Sequence, residues 1–73
     1  MKEKIKDVMR RVFHLDTIGD DFSQRDCAKW DSLNHLNLVV ELEETFDVSF
    51  EPEEIAEMKS LDAIENLLNQ KAQ

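Results

Sequence analysis

A single glycine, Gly19, and a single proline, Pro52, are the only strong backbone breakers in this 73-residue chain, and that scarcity constrains its fold more than any other feature. Tight hairpin turns need such residues at set positions, and no stretch of useful length alternates apolar and polar residues as a half-buried strand does. The expectation is an all-α protein. The length allows one small domain, residues 1–73, because a chain this short buries only about 60% of its unfolded surface and lacks material for a second core. Hydrophobic residues make up 41%, with four Phe and one Trp, which is enough to fold. The same size leaves no room for an enzyme with a deep pocket.

Helical periodicity divides the chain into four. From Lys2 to about His14, Ile5, Val8, Met9 and Val12 recur at i, i+3, i+4 and i+7, one face of an amphipathic helix that Phe13 widens. Residues from about Leu15 to Asp31 carry no helical period, yet Leu15, Ile18, Phe22 and Trp30 recur among polar neighbours, the pattern of a long loop pegged to a core. Loops of that length are uncommon unless functional. Ser32 to about Thr45 reads as the second helix, opened by Asp31 and Ser32, whose short oxygen-bearing side chains accept bonds from the first free N–H groups. The segment Phe46-Asp47-Val48-Ser49-Phe50 reads as a stop and connector. Pro52 suits the first turn of a short third helix through about Met58, with Glu53 and Glu54 at the positive end of its dipole. Ser60 then caps a fourth helix carrying Leu61, Ile64, Leu67 and Leu68 on its core face, and residues 70–73 are expected to fray.

Charge narrows the choice of partners. Nine Lys and Arg against 17 Asp and Glu leave a net charge of −8, which disfavours nucleic acid and anionic membranes and favours basic protein surfaces. One cysteine, Cys27, and two histidines, His14 and His35, do not make a zinc site, so no metal is expected. The lone cysteine suits a reducing cytoplasm. The N-terminal residues are charged where a secretory leader needs an apolar run, and no window reaches a membrane-spanning length, so a soluble protein without stable membrane binding is expected.

The second helix carries more apolar residues than one face can hold. At about 100° per residue, Leu38, Val39, Leu42 and Phe46 gather on one side and suffice as a core stripe. Leu33, Leu36 and Val40 lie on a separate face, with Glu43 and Glu44 beside them. Such an apolar strip edged by carboxylates suggests a docking surface for a basic, partly apolar partner. A neighbouring helix could equally cover it, and periodicity leaves both arrangements open.

Asp31-Ser32-Leu33, preceded by Trp30 and followed by Asn34-His35-Leu36-Asn37-Leu38-Val39-Val40-Glu41-Leu42-Glu43-Glu44, closely resembles the attachment segment of acyl carrier proteins. Phe46-Asp47-Val48-Ser49-Phe50 and Pro52-Glu53-Glu54-Ile55 are similar to that family's connector into its short third helix, so the resemblance spans essentially the whole chain. It implies a four-helix acyl-carrier-like bundle with a long loop between helices 1 and 2. It further implies a non-enzymatic carrier on which a phosphopantetheinyl transferase joins 4′-phosphopantetheine from coenzyme A to Ser32, giving a thiol-ended arm that holds acyl groups as thioesters. A phosphodiester at a helix start faces unpaired N–H groups and the positive dipole end. By the same resemblance Asp31 caps the helix and helps the transferase and its metal ion engage. Leu33, Leu36, Val40, Glu43 and Glu44 match the family's partner-recognition face. Leu38, Leu42, Phe46, Phe50, Ile55, Met58 and Leu61 match its core, into which a tethered acyl chain folds; Met58 has the adaptable side chain suited to cargo of variable length.

The implied partners are the transferase and the acyl-transferring, condensing or acyl-ligase enzymes of fatty acid, polyketide or related acyl biosynthesis, meeting a monomeric carrier through basic docking surfaces. Many carriers of fatty acid synthesis have acidic residues where this chain has Asn34 and Asn37, so its recognition face is less charged. Together with Trp30 and His35, this makes it more similar to a specialised stand-alone carrier serving a dedicated ligase or synthase.

Other readings are weaker. Asp31, Ser32 and His35 could suggest a hydrolytic set, since residues three apart on a helix are neighbours, but nothing supplies an oxyanion hole. His14 at the end of the first helix is expected to offset the negative dipole end. The acidic stretch from Asp16 to Cys27 fails as a calcium loop because Ile18 and Cys27 occupy ligand positions. The principal rival is an acidic helical interaction module that uses the same strip and receives no modification.

Overall fold

The computed structural model describes residues 1–71 and contains four α-helices: α1 (Lys2–Phe13), α2 (Ser32–Phe46), α3 (Pro52–Glu57) and α4 (Leu61–Lys71). No strand occurs among the described residues, and the all-α expectation holds. α1 packs against both α2 and α4, burying Ile5, Val8, Met9 and Phe13 as its periodicity requires.

Each helix ends for a local reason. α1 and α2 stop at His14 and Asp47, the two non-glycine residues with positive φ among the described residues, 55° and 54°, and the N–H groups of these caps turn back to the carbonyls of Arg10 and Glu43. A left-handed residue at this point closes a helix by satisfying a carbonyl that the ladder leaves free. α2 therefore runs one residue beyond the expected Thr45. α3 opens on a capping box in which the Glu51 N–H donates to Glu54 Oε1 at 2.7 Å, with Pro52 in the first turn. Ser60 Oγ accepts from the Ala63 N–H at 3.1 Å, the expected cap of α4. Gln70 and Lys71 do not fray but belong to α4. Lys71 Nζ reaches Glu54 Oε1 on α3 at 2.7 Å, which accounts for the order there. Ala72 and Gln73, also expected to fray, lie outside the described residues.

The long segment between α1 and α2 is pegged down as its apolar residues foretell. Ile18 and Trp30 are buried, and Leu15 and Phe22 pack partly buried against the core. It is also more ordered than a plain loop. Gln24–Asp26 forms a single 3-10 turn, stabilised by Asp26 Oδ2, which accepts from both the N–H and the hydroxyl of Ser23. The chain there pairs with the α3–α4 connector through two backbone bonds, Gln24 N–H to the Lys59 carbonyl at 2.8 Å and Leu61 N–H to the Phe22 carbonyl at 2.9 Å. Ser23 and Ser60 thus form an isolated antiparallel bridge, which moors the loop at its middle and leaves its last residues to aim α2.

Candidate functional site

Ser32 is the first residue of α2 and is exposed. Asp31 directly precedes it in extended conformation, and its Oδ1 accepts from the Asn34 N–H at 2.9 Å, a side-chain N-cap. The His35 N–H takes the Asp31 carbonyl at 2.8 Å as the first bond of the helical ladder. The N–H groups of Ser32 and Leu33 lie ahead of that ladder, at the positive end of a 15-residue helix. A phosphodiester on Ser32 Oγ fits this setting, since the hydroxyl is reachable and the nearby partial charge is of the right sign.

The junction is tied from both sides. Asn34 Nδ2 donates to the Lys29 carbonyl at 2.8 Å, bridging loop and helix. Trp30, 3% exposed, stacks within a cluster of Phe13, Phe22 and His35, with ring centroids 5.2, 5.8 and 6.2 Å away. Its indole Nε1–H donates to His35 Nδ1 at 2.9 Å, while His35 Nε2 lies 2.8 Å from the Ile55 carbonyl on α3. Both imidazole nitrogens are thereby engaged away from Ser32. A hydrolytic role for His35 requires one of them on the serine hydroxyl, and neither is there. The sequence marks Trp30 as a peg of the loop but does not by itself join it to His35. The signal that could have joined them is their placement on either side of the Asp31 cap, the spacing at which side chains staple a helix start.

The surplus apolar face of α2 is open. Leu33, Leu36 and Val40 are 69%, 55% and 50% exposed, so no neighbouring helix covers them in this chain. Among the described residues they are three of the four large hydrophobic residues on the surface; the other is Met1. Glu44 beside them is exposed. Glu43 is only half-exposed, and its Oε2 accepts from the Phe50 N–H at 2.9 Å, so this carboxylate also holds the connector after α2. On the other flank, Arg11 and His14 of α1 meet Asn34, Asn37, Val40 and Glu41 along an open groove.

Of the residues matched to the carrier core, Leu38, Leu42, Met58 and Leu61 are wholly buried and Phe50 nearly so, whereas Phe46 and Ile55 are partly buried at its margin. Cys27 is buried as a free thiol. Among the described residues no group of three or more His, Cys, Asp or Glu is placed to hold a metal ion, and no helix is long and apolar enough to cross a membrane.

Residues 3–68 match the family model described as the phosphopantetheine attachment site. No curated protein matches the chain. With the matched span taking in all of α2 and α3 and nearly all of α1, the chain belongs to the phosphopantetheine attachment-site family and is an acyl-carrier-type protein, a non-catalytic carrier that bears 4′-phosphopantetheine covalently.

Proposed function

We propose that Ser32 is the residue that receives 4′-phosphopantetheine, and that residues 1–73 act as one acyl carrier domain. The observation that carries this assignment is an exposed serine hydroxyl at the first position of a capped, 15-residue helix, inside the span matched by the family model. In the loading step Ser32 Oγ loses its proton and forms a bond to phosphorus as the pyrophosphate bond of coenzyme A breaks and adenosine 3′,5′-bisphosphate leaves. The arm so attached ends in a thiol that binds acyl groups as thioesters. The protein's own part is to present the hydroxyl to the transferase, and later the arm to acyl-handling enzymes, through a surface that docks briefly and releases.

Leu33, Leu36, Val40 and Glu44, with Glu43 at their edge, form that surface in this reading, and their exposure supports it. The net charge of −8 suits partners with basic docking faces. Asn34 and Asn37 on the flank of the strip leave it less acidic, which supports a specialised acyl pathway with a dedicated ligase or synthase. The lone buried thiol of Cys27 supports a reducing cytoplasm as its location.

Intact mass spectrometry tests the assignment. With coenzyme A and a broadly tolerant transferase, the protein gains the mass of one phosphopantetheinyl group, and Ser32→Ala gains none. A wild-type mass that never changes, or a gain that survives the substitution, overturns it.

A further inference from the structure

Counted from the capping Asp31, Trp30 is the residue just before the cap and His35 the fourth residue of the helix. Side chains at these two positions flank a helix start and set the angle at which the chain runs into it, usually by apolar packing alone. Here the pair is stacked at 23° and hydrogen-bonded as well. An indole N–H only donates, so Nδ1 of His35 accepts; a carbonyl only accepts, so the proton between His35 and Ile55 belongs to Nε2. One neutral tautomer meets both demands.

Ser32 lies in the chain between the two residues that this link joins. Trp30 in turn is held by its aromatic neighbours, and its carbonyl receives Gln24 Nε2 at 3.2 Å. The core therefore governs the direction of the first turn of α2 through the imidazole, and the same ring ties that turn to α3. The charged groups on the elements around it are engaged elsewhere or face solvent. Asp31 caps Asn34, Glu54 serves Glu51 and Lys71, and Lys29, Glu53 and Glu57 are exposed.

We infer that His35 is a positioning residue for the loading of Ser32, and that the Trp30–His35–Ile55 bridge holds the serine hydroxyl in the orientation the transferase requires while coupling it to the seat of α3. This rests on the assignment of Ser32 as the attachment residue. The imidazole does not touch the reacting atoms. It acts through the geometry of the turn, and small misplacements of a nucleophile from the line of attack carry large losses in rate.

The test compares transferase kinetics on wild-type protein, His35→Ala, His35→Gln and Trp30→Phe, with coenzyme A as donor. His35→Gln retains one acceptor and one donor; Trp30→Phe keeps the stacked ring and deletes only the indole N–H. His35→Ala is expected to lower kcat about tenfold with KM within about twofold, His35→Gln to recover most of the loss, and Trp30→Phe to fall between. Nitrogen-15 NMR of the wild-type imidazole is expected to show the Nε2–H tautomer, with the Trp30 indole proton shifted as a hydrogen-bonded one.

Wild-type kcat in His35→Ala or Trp30→Phe, a loss confined to KM, or an Nδ1–H tautomer each overturns the proposal. Should His35→Ala fail to fold, the kcat of Trp30→Phe decides. If the wild-type protein does not load at all, the attachment assignment fails and the proposal with it, a result distinct from equal loading of wild type and variants.

Discussion

Val40 and Leu42 stand two residues apart on α2 and face opposite ways, Val40 half exposed and Leu42 wholly buried. Two residues turn a helix through about 200°, so α2 serves the core with one side and solvent with the other. The consequence is a sharp contrast in stability. Leu42→Ala is expected to cost about 2–5 kcal/mol as a buried leucine truncation, a large share of what so small a domain has. Val40→Ala is expected to stay within about 0.5 kcal/mol. Urea melts of the two variants check this, and equal costs would mean that α2 is buried on both sides in solution.

Docking should respond in the opposite sense. Leu33→Gln removes the most exposed apolar side chain of the strip and is expected to raise the transferase KM roughly tenfold, about 1.4 kcal/mol, without lowering the melting temperature. Glu44→Lys should weaken docking chiefly through the association rate, and more so at low salt. Glu43 needs a gentler change, because reversing it also breaks its bond to the Phe50 N–H; Glu43→Gln keeps an acceptor there and drops the charge. Unaltered kinetics in all three variants would remove the strip from the recognition surface.

The elements, and the helix start at which Ser32 stands, were legible in the sequence because their signals are local. The stripe of Ile5, Val8 and Met9, the cap at Asp31, Pro52 in the first turn of α3 and Ser60 before α4 each act within a turn or two of the chain, where spacing carries the information. The features that escaped depend on residues far apart in sequence. The 3-10 turn at Gln24–Asp26 is stabilised locally by Asp26, but its pairing with Lys59 and Leu61 needs the folded α3–α4 connector. The sequence singles out His35 but cannot show its bridging role, because its far nitrogen meets the Ile55 carbonyl, which only the fold brings there. Glu43 resembles its neighbour Glu44 in sequence, and only the course of the chain to Phe50 separates their roles.

Asp31 caps α2, and substitution can separate that role from the part in transferase engagement that the family resemblance implies. As a cap it accepts from the Asn34 N–H, so Asp31→Ala is expected to cost about 0.5–2 kcal/mol. Asp31→Asn keeps a capping oxygen and should melt close to wild type. If Asp31 also helps the transferase and its metal ion engage, Asp31→Asn will load more slowly in spite of its stability. Loading that simply follows the melting temperature across the two variants would leave capping as its whole role.

Ion pairs give the fold a defined response to pH. The hydrogen bond from the Lys6 ammonium, followed by the attraction of Lys6 and then Lys2, holds the Asp20 carboxyl below the usual carboxylate range. The same hydrogen bond raises Lys6 above the usual lysine range. Glu54 is also lowered, first by the Glu51 backbone N–H and then by Lys71. For the two carboxyls the unfolded chain binds protons more readily than the folded one, so their stabilisation is full above the ordinary carboxylate value, about 4, and is lost as pH falls through their lowered folded values. For Lys6 it is full below the ordinary lysine value, about 10.4, and is lost as pH rises through the raised one. Asp20 is largely exposed, so salt screens this pair and the effect is small. Asp20→Asn is accordingly expected to melt slightly below wild type at neutral pH, with the gap closing as the pH drops towards about 2. A gap of constant size across the acid range would show that the Lys6–Asp20 pair adds nothing electrostatic to the fold.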